Sequence, residues 1–103
     1  RGKMEDQKIL SANGIELNTE SRTVHRNGSP VSLTQLEFEL LQTFLNHKNQ
    51  VLTRDNLISQ VWGYDFEGDE KTVNIHIMNL RRKLGVDCIR TIRGVGYKFE
   101  IEN

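Results

Sequence analysis

The sequence predicts one α+β domain: four short N-terminal strands, then three helices, then a C-terminal β-hairpin. Three observations predict it. Two Asn-Gly dipeptides punctuate residues 8–33. Threonine-led capping signals open apolar stripes at helical spacing between Thr34 and Leu84. An alternating apolar pattern then closes the chain around Arg93-Gly94-Val95-Gly96.

At 103 residues the chain has room for a single core. A hydrophobic content of 36% with 27% charged residues is ordinary for a globular domain and too apolar for wholesale disorder. Residues 1–7 are polar and aperiodic and read as linker or tag remnant, leaving 8–103 as the domain. Arg1 is no initiator residue, so the chain is expected to be either processed or an excised fragment of a parent longer at the N-terminus. The one cysteine, Cys88, excludes an internal disulfide and fits a reducing, cytoplasmic setting. No apolar run approaches eighteen residues, so no membrane helix is expected. The start also lacks a charged-then-apolar signal segment.

The elements follow in order. Asn13-Gly14 and Asn27-Gly28 each supply two residues tolerant of positive φ, as a type I′ turn requires. Lys8–Ala12 with Ile15–Asn18, and Arg22–Arg26 with Ser29–Leu33, therefore form two hairpins or one four-stranded antiparallel sheet. Pro30 cannot donate to a ladder and places its strand at an edge or at its start. Thr34 and Glu37 form a capping box, with Leu33 and Phe38 as a hydrophobic staple. Leu36, Leu40, Leu41, Phe44 and Leu45 then make the buried stripe of a first helix ending by Asn46–Asn49. Thr53 caps a second helix, with Leu57, Ile58, Val61 and Trp62 buried and Gly63 as terminator. Tyr64–Glu70 is an acidic loop. A third helix begins at about Glu70, buries Val73, Ile77, Leu80 and Leu84, and stops at Gly85. Cys88–Ile92 and Tyr97–Ile101 flank the final turn, with Tyr97, Phe99 and Ile101 facing inward.

Charge is segregated along this order. From Lys71 to Glu100 there are seven Lys and Arg against Asp87 and Glu100, a segment at +5 in a chain of net charge zero. The other residues therefore sum to −5. A basic helix next to a basic hairpin suits a polyanion met by two elements at once. With its stripe inward, the third helix turns out Lys71, Asn74, Ile75, Met78, Asn79 and Arg82. Cation, amide and apolar groups together are what reading a major groove needs: Asn pairs with adenine, and an exposed Ile meets a thymine methyl. The competing reading has Ile75 and Met78 widening the buried stripe beside solvated arginines. Arg93, on a thin glycine-bearing tip, suits a narrow minor groove; alone it would be an ordinary solvated turn arginine.

Other chemistries lack support. Gly94-x-Gly96 has Phe99 where a dinucleotide fingerprint needs its third glycine, and no helix follows. Asp65, Glu67 and Asp69 have calcium-loop spacing, but the glycine is misplaced and His76 stands at the closing position. His25, His47, His76 and Cys88 are dispersed, so neither a metal nor a cofactor is expected. No nucleophile has a base and orienter, so no enzymatic activity is expected. A protein-interaction module is the alternative class, served by the acidic remainder.

VWGYDFEGDEKTVNIHIMNLRRKL followed by TIRGVGYKF closely resembles the winged-helix effector domain of OmpR/PhoB-type response regulators, over about Ile9 to Glu100. The resemblance implies a winged helix-turn-helix with an N-terminal four-stranded antiparallel sheet, three helices and a C-terminal hairpin wing. It implies sequence-specific binding of double-stranded DNA, commonly as head-to-tail pairs on direct repeats. By position, Ile75 and Asn79 match base-contacting residues and Asn74 a residue near the bases. Lys71, Thr72, His76, Arg81 and, on the basic outer face, Arg82 fall to phosphates. Arg93 matches the minor-groove arginine, with Thr91 beside it. Residues 62–70 match a loop that can touch RNA polymerase, for which Asp65, Glu67 and Asp69 would suit a basic surface; the competing reading is a solvated loop whose Asp69 and Glu70 cap the helix N-terminus. The parent protein would carry a receiver domain phosphorylated by a sensor kinase. The chain departs from some members in having Asn79 where they have arginine, which on geometry favours adenine over guanine, and Met78 where a basic residue is common.

Overall fold

The computed structural model describes residues 9–63, 70–85 and 88–101. The first four strands, β1 (Ile9–Ala12), β2 (Ile15–Asn18), β3 (Thr23–Arg26) and β4 (Ser29–Val31), form one antiparallel sheet in the order β1-β2-β3-β4. Of the two arrangements open at the sequence level, the single sheet is the one adopted. Both Asn-Gly turns have positive φ at both residues, 53° and 80° at Asn13-Gly14 and 51° and 87° at Asn27-Gly28. That is the type I′ pattern whose twist matches the flanking strands. Pro30 lies in the edge strand β4, opposite His25. Ile15, Leu17 and Val24 point from this sheet into the core.

Helix α1 (Gln35–Asn46) starts at the expected capping box. The Glu37 amide donates to Thr34 Oγ1 at 3.2 Å, and the Thr34 amide donates to Glu37 Oε1 at 2.9 Å. Phe38, Leu40, Leu41, Phe44 and Leu45 are buried. Leu36, expected in that stripe, is only half-buried, and Glu37 is buried in its place. The inward side of the first turn is thus shifted by one residue, because Glu37 has a partner of its own on another helix.

A strand that the sequence did not announce follows. β5 (Val51–Thr53) is three residues long and ends on the very threonine that caps the next helix. So short a run gives no readable alternation. It pairs antiparallel with β7 (Gly96–Phe99), which also pairs with β6 (Ile89–Ile92), giving a second sheet ordered β5-β7-β6. The second helix is correspondingly irregular. α2 (Arg54–Leu57) is one turn, capped by a reciprocal Thr53–Asn56 box, and passes into a π-helical stretch, Ile58–Trp62. The Gly63 amide donates to Ile58 O at 2.8 Å, the wide i to i+5 bond, and Gly63 has φ 101°. The expected terminator is correct. Of the expected buried face only Leu57 is fully enclosed; Ile58, Val61 and Trp62 are partly buried against the core.

α3 (Glu70–Leu84) buries Val73, Ile77, Leu80 and Leu84 as expected, none more than 2% exposed. In the final hairpin the two glycines do different work. Gly94, with φ 75°, is the third residue of a turn closed by the Val95 amide donating to Ile92 O at 2.9 Å. Gly96 lies inside β7, between Thr53 of β5 and Ile92 of β6. A Cβ there would stand 2.0 Å from Leu52 O and 2.8 Å from Thr53 Cα. Close approach of two strands, rather than the turn, demands this glycine.

Cross-links then tie the first sheet, the α1–β5 loop and the second sheet together. Asn13 Nδ2 donates to Glu100 O at 2.8 Å, and Lys48 Nζ to Ser11 O at 2.9 Å. The Asn49 amide donates to Phe99 O at 2.7 Å. Gly96→Ala is expected to lower stability by roughly 3 kcal/mol, since two strand backbones must part. Gly94→Ala, with open space around its Cβ, should cost only about 1 kcal/mol for the positive φ. Urea unfolding of both variants checks the order; equal losses would contradict the assigned close approach.

Candidate nucleic-acid interface

At about 100° per residue, α3 divides into strips, and each is engaged differently. The inner strip is the core stripe. Opposite it lie Lys71, Ile75, Met78 and Arg82, all exposed, with Ile75 at 53% and Met78 at 58%. The reading in which Ile75 and Met78 widen the buried stripe is therefore excluded. Two large apolar side chains sit in water between cations on a helix that already has a complete core face.

The flank facing the hairpin carries Asn74 and Arg81, and both are tied down. Arg81 Nε donates to Ile89 O at 2.9 Å, and its Nη2 donates to Thr91 Oγ1 at 2.8 Å. Asn74 Oδ1 accepts from Arg54 Nε at 3.1 Å and also from the Tyr97 hydroxyl. Tyr97 is the meeting point: its ring centroid lies 5.4 Å from the Arg54 guanidinium carbon and 5.6 Å from that of Arg81.

The other flank is held by α1 and by the π-helical stretch that follows α2. The His76 ring stacks on Trp62, centroids 5.5 Å apart and planes within 4°. Lys83 Nζ donates to Glu37 Oε1 at 2.8 Å. Burial pushes the Glu37 carboxyl up, but the bonds from Lys83 and Thr34 together outweigh it and hold the group below its ordinary value.

The basic segment is therefore not one uniform charge. Lys83 is committed to Glu37, while Arg90 and Lys98 both reach Glu100, at 3.2 and 3.0 Å. Arg90 and Lys98 are direct cross-strand neighbours, a like-charge pair that Glu100 bridges. Lys98 foremost, with Arg90, holds the Glu100 carboxyl below its ordinary value. Arg81 is spent on the β6 backbone and Thr91. Arg93 stands exposed at the turn beside exposed Val95, without a hydrogen bond or ion pair among the described residues.

The expected site residues within the described region each have a place. Ile75 is exposed, and Asn79 is half-buried with its Oδ1 accepting from Arg82 Nη2 at 2.9 Å. Thr72 is half-buried, Lys71 and Thr91 are exposed. Asp65, Glu67 and Asp69 lie outside the described residues. Sequence reasoning missed the parts of Arg54 and Tyr97. Tyr97 was legible only as an inward strand position, and Arg54 carried no signal beyond following a cap. Among the described residues no three His, Cys, Asp or Glu side chains group as metal ligands, and no helix is long and apolar enough to cross a membrane.

Helix α3, exposed on one face and flanked by a hairpin with a bare arginine, has a counterpart in known proteins. A family model described as the C-terminal domain of transcriptional regulatory proteins matches residues 28–99. The chain belongs to the OmpR/PhoB-type winged-helix family of response-regulator DNA-binding domains. Among curated relatives of this family, it is 42% identical over 95 residues to the transcriptional regulatory protein CseB of Streptomyces avermitilis, covering 92% of this chain and 40% of CseB. It is 42% identical over 99 residues to the DNA-binding response regulator MtrA of Mycobacterium tuberculosis, covering 91% of this chain and 43% of MtrA. The chain thus spans about two fifths of the length of these relatives. Among solved winged-helix domains, that of Klebsiella pneumoniae RstA in complex with the RstA box superposes with TM-score 0.82 at 28% identity, covering 90% of this chain and 97% of that one. The DNA-binding domain of CpxR from E. coli superposes with TM-score 0.80 at 32% identity, covering 90% and 96%.

The α1–α3 clamp of this winged helix is open to test. Lys83→Met leaves the buried Glu37 carboxylate short of a donor and should cost about 1–3 kcal/mol at neutral pH. Because the folded Glu37 value is depressed, its contribution is present above the unfolded value and fades as pH falls through the folded one. Glu37→Gln should flatten that part of the acid loss below about pH 4.5 in unfolding titrations. An unchanged acid limb would remove the clamp from the account.

Proposed function

We propose that this chain binds double-stranded DNA in a sequence-specific manner, with α3 in the major groove and Arg93 in the adjacent minor groove. The observation that carries the reading is the outer strip of α3: Ile75 and Met78 exposed between Lys71 and Arg82, with Asn79 alongside. Apolar groups that contribute nothing to the core, set among donors and cations, suit the mixed chemistry of base edges and phosphates. A helix of fifteen residues is about 22 Å long, enough to lie across the groove.

In this reading Ile75 and Asn79 face the bases. Lys71, Thr72, His76 and Arg82 meet phosphates, His76 from a ring held in place by Trp62. Arg93, on a turn with no bulk behind Gly94, enters the minor groove with Thr91 beside it. Arg81 reaches a phosphate only with donors left over from its bonds to the hairpin. The protein acts as the effector domain of a response regulator in the cytoplasm, catalyses no reaction and needs no cofactor. Its parent carries a receiver domain addressed by a sensor kinase. Pairs of domains sit head to tail on direct repeats about one helical turn apart, and Asp65, Glu67 and Asp69 face RNA polymerase. The RstA DNA-binding domain supports the DNA assignment, since that neighbour was solved in complex with the RstA box.

Two variants separate the roles. Lys71→Ala should weaken binding to all sequences and reduce the slope of log affinity against log salt by about 0.9. Asn79→Ala should cost about 1–3 kcal/mol on the site selected from random DNA and almost nothing on random duplex. Both are read by fluorescence anisotropy titrations across a salt series. Equal losses on selected and random DNA for both variants would overturn the division into phosphate and base contacts.

A further inference from the structure

We propose that Tyr97 is a positioning residue that locks α3 to the hairpin, so that engagement of the major groove and of the minor groove are energetically coupled. The proposal rests on the DNA-binding reading above and adds a linkage to it.

Four side chains from three elements, β7, α3 and α2, converge at this point. Tyr97 of β7 is 4% exposed. Its hydroxyl donates to Asn74 Oδ1 on α3, and the same oxygen accepts Arg54 Nε from the start of α2. Arg81, two turns further along the same flank of α3, bonds Ile89 O and Thr91 Oγ1 on β6 while its guanidinium lies near the Tyr97 ring. Tyr97 is itself the cross-strand partner of Thr91 and of Leu52. The flank of α3 and both strands of the hairpin thus close into one ring of contacts, with α2 bracing it from behind.

Asn74 changes role as a result. An amide oxygen has two lone pairs, and both are taken, so Asn74 cannot offer the acceptor half of a bidentate pair with adenine. It serves as the anchor for Tyr97 instead of as a base reader.

The mechanical consequence follows from size. Strands of four residues joined by a tight turn make a weak lever by themselves. Arg93 at the tip is held at a set distance from α3 only if the hairpin cannot pivot on the helix. With the ring intact, seating α3 delivers Arg93 to the neighbouring groove without further ordering, and losing either contact devalues the other. With the ring opened, the two contacts act separately.

The test is a double-mutant cycle on this chain, using a duplex selected from random-sequence DNA. Affinities are measured for Asn79→Ala, Arg93→Ala and the pair, each alone and combined with Tyr97→Phe, which keeps the ring and removes only the hydroxyl. Without Tyr97→Phe, the double variant should bind about fivefold or more tighter than the product of the single losses implies. With Tyr97→Phe that discrepancy should shrink to within about twofold, while affinity for random duplex changes little. Arg81→Lys, which keeps the charge and loses the fork, should shrink it in the same way and guards against a peculiarity of one substitution. Equal discrepancies with and without Tyr97→Phe, or strict additivity without it, would overturn the coupling while leaving DNA binding intact. If neither Asn79→Ala nor Arg93→Ala alters affinity for the selected duplex, the assignment of these two residues to the grooves falls, and the coupling with it.

Discussion

Everything on the outer surface of this domain depends on how α3 is rotated about its own axis. The stripe of Val73, Ile77, Leu80 and Leu84 sets that rotation, since each of the four is at most 2% exposed. Burying four such side chains is worth on the order of 6–12 kcal/mol of transfer free energy, far more than any single contact on the flanks. Turning the helix by one residue would drive Asn74 and Arg81 into the core and expose the stripe. The hydrophobic term therefore selects the face, and the polar contacts refine it. Trp62 against His76 and Glu37 with Lys83 hold one side, while Tyr97 with Asn74 and Arg81 hold the other.

Electrostatics plays two different parts within the same basic segment. Where a cation meets an acid inside the fold, as Lys83 meets Glu37, the charge is structural. The side chain of Glu37 is 4% exposed, and a carboxylate so placed is tolerable only with donors on it. At Glu100 the acid sits between Arg90 and Lys98 on neighbouring strands and relieves their mutual repulsion. These pairs are partly solvated and add little stability. They do, however, lower the positive potential on the side of the hairpin away from its tip. Glu37, which lies outside the segment, offsets Lys83, so the segment presents less than +5, with Arg82 and Arg93 among its exposed cations.

Much of this was legible in the sequence, and the reason is locality. Asn-Gly turns, the Thr34–Glu37 box and the four-three-four spacing of the α3 stripe are signals spoken within a few residues. Each appears in the fold as read. The failures are nonlocal. β5 is three residues long and exists only because β7 lies beside it, some forty-five positions away in the chain. Gly96 looked like half of a turn because its true constraint, the carbonyl of Leu52, comes from that same distant strand. Glu37 was read as a capping residue, which it is, but its second partner lies forty-six residues on. Asn74 was grouped with the outward face by helical angle alone. Angle cannot tell a side chain facing water from one facing Tyr97.

That last distinction sorts the exposed half of α3 into two kinds of position. Ile75 and Met78 lie on the outer strip with their side chains in solvent, and the side-chain hydrogen bond of Asn79 runs to Arg82, one turn along the same helix. Their replacement leaves the core, both sheets and the hairpin contacts as they are, so the chemistry presented to a groove can vary at small cost to the fold. Asn74 and Arg81 have no such freedom. Each bonds at least one other element, and removing either leaves partly buried donors or acceptors without partners. The residues free to define a binding site are thus those that the fold ignores, and the residues it holds are those that aim them. Asn79, bonded only along its own helix, falls in the free class.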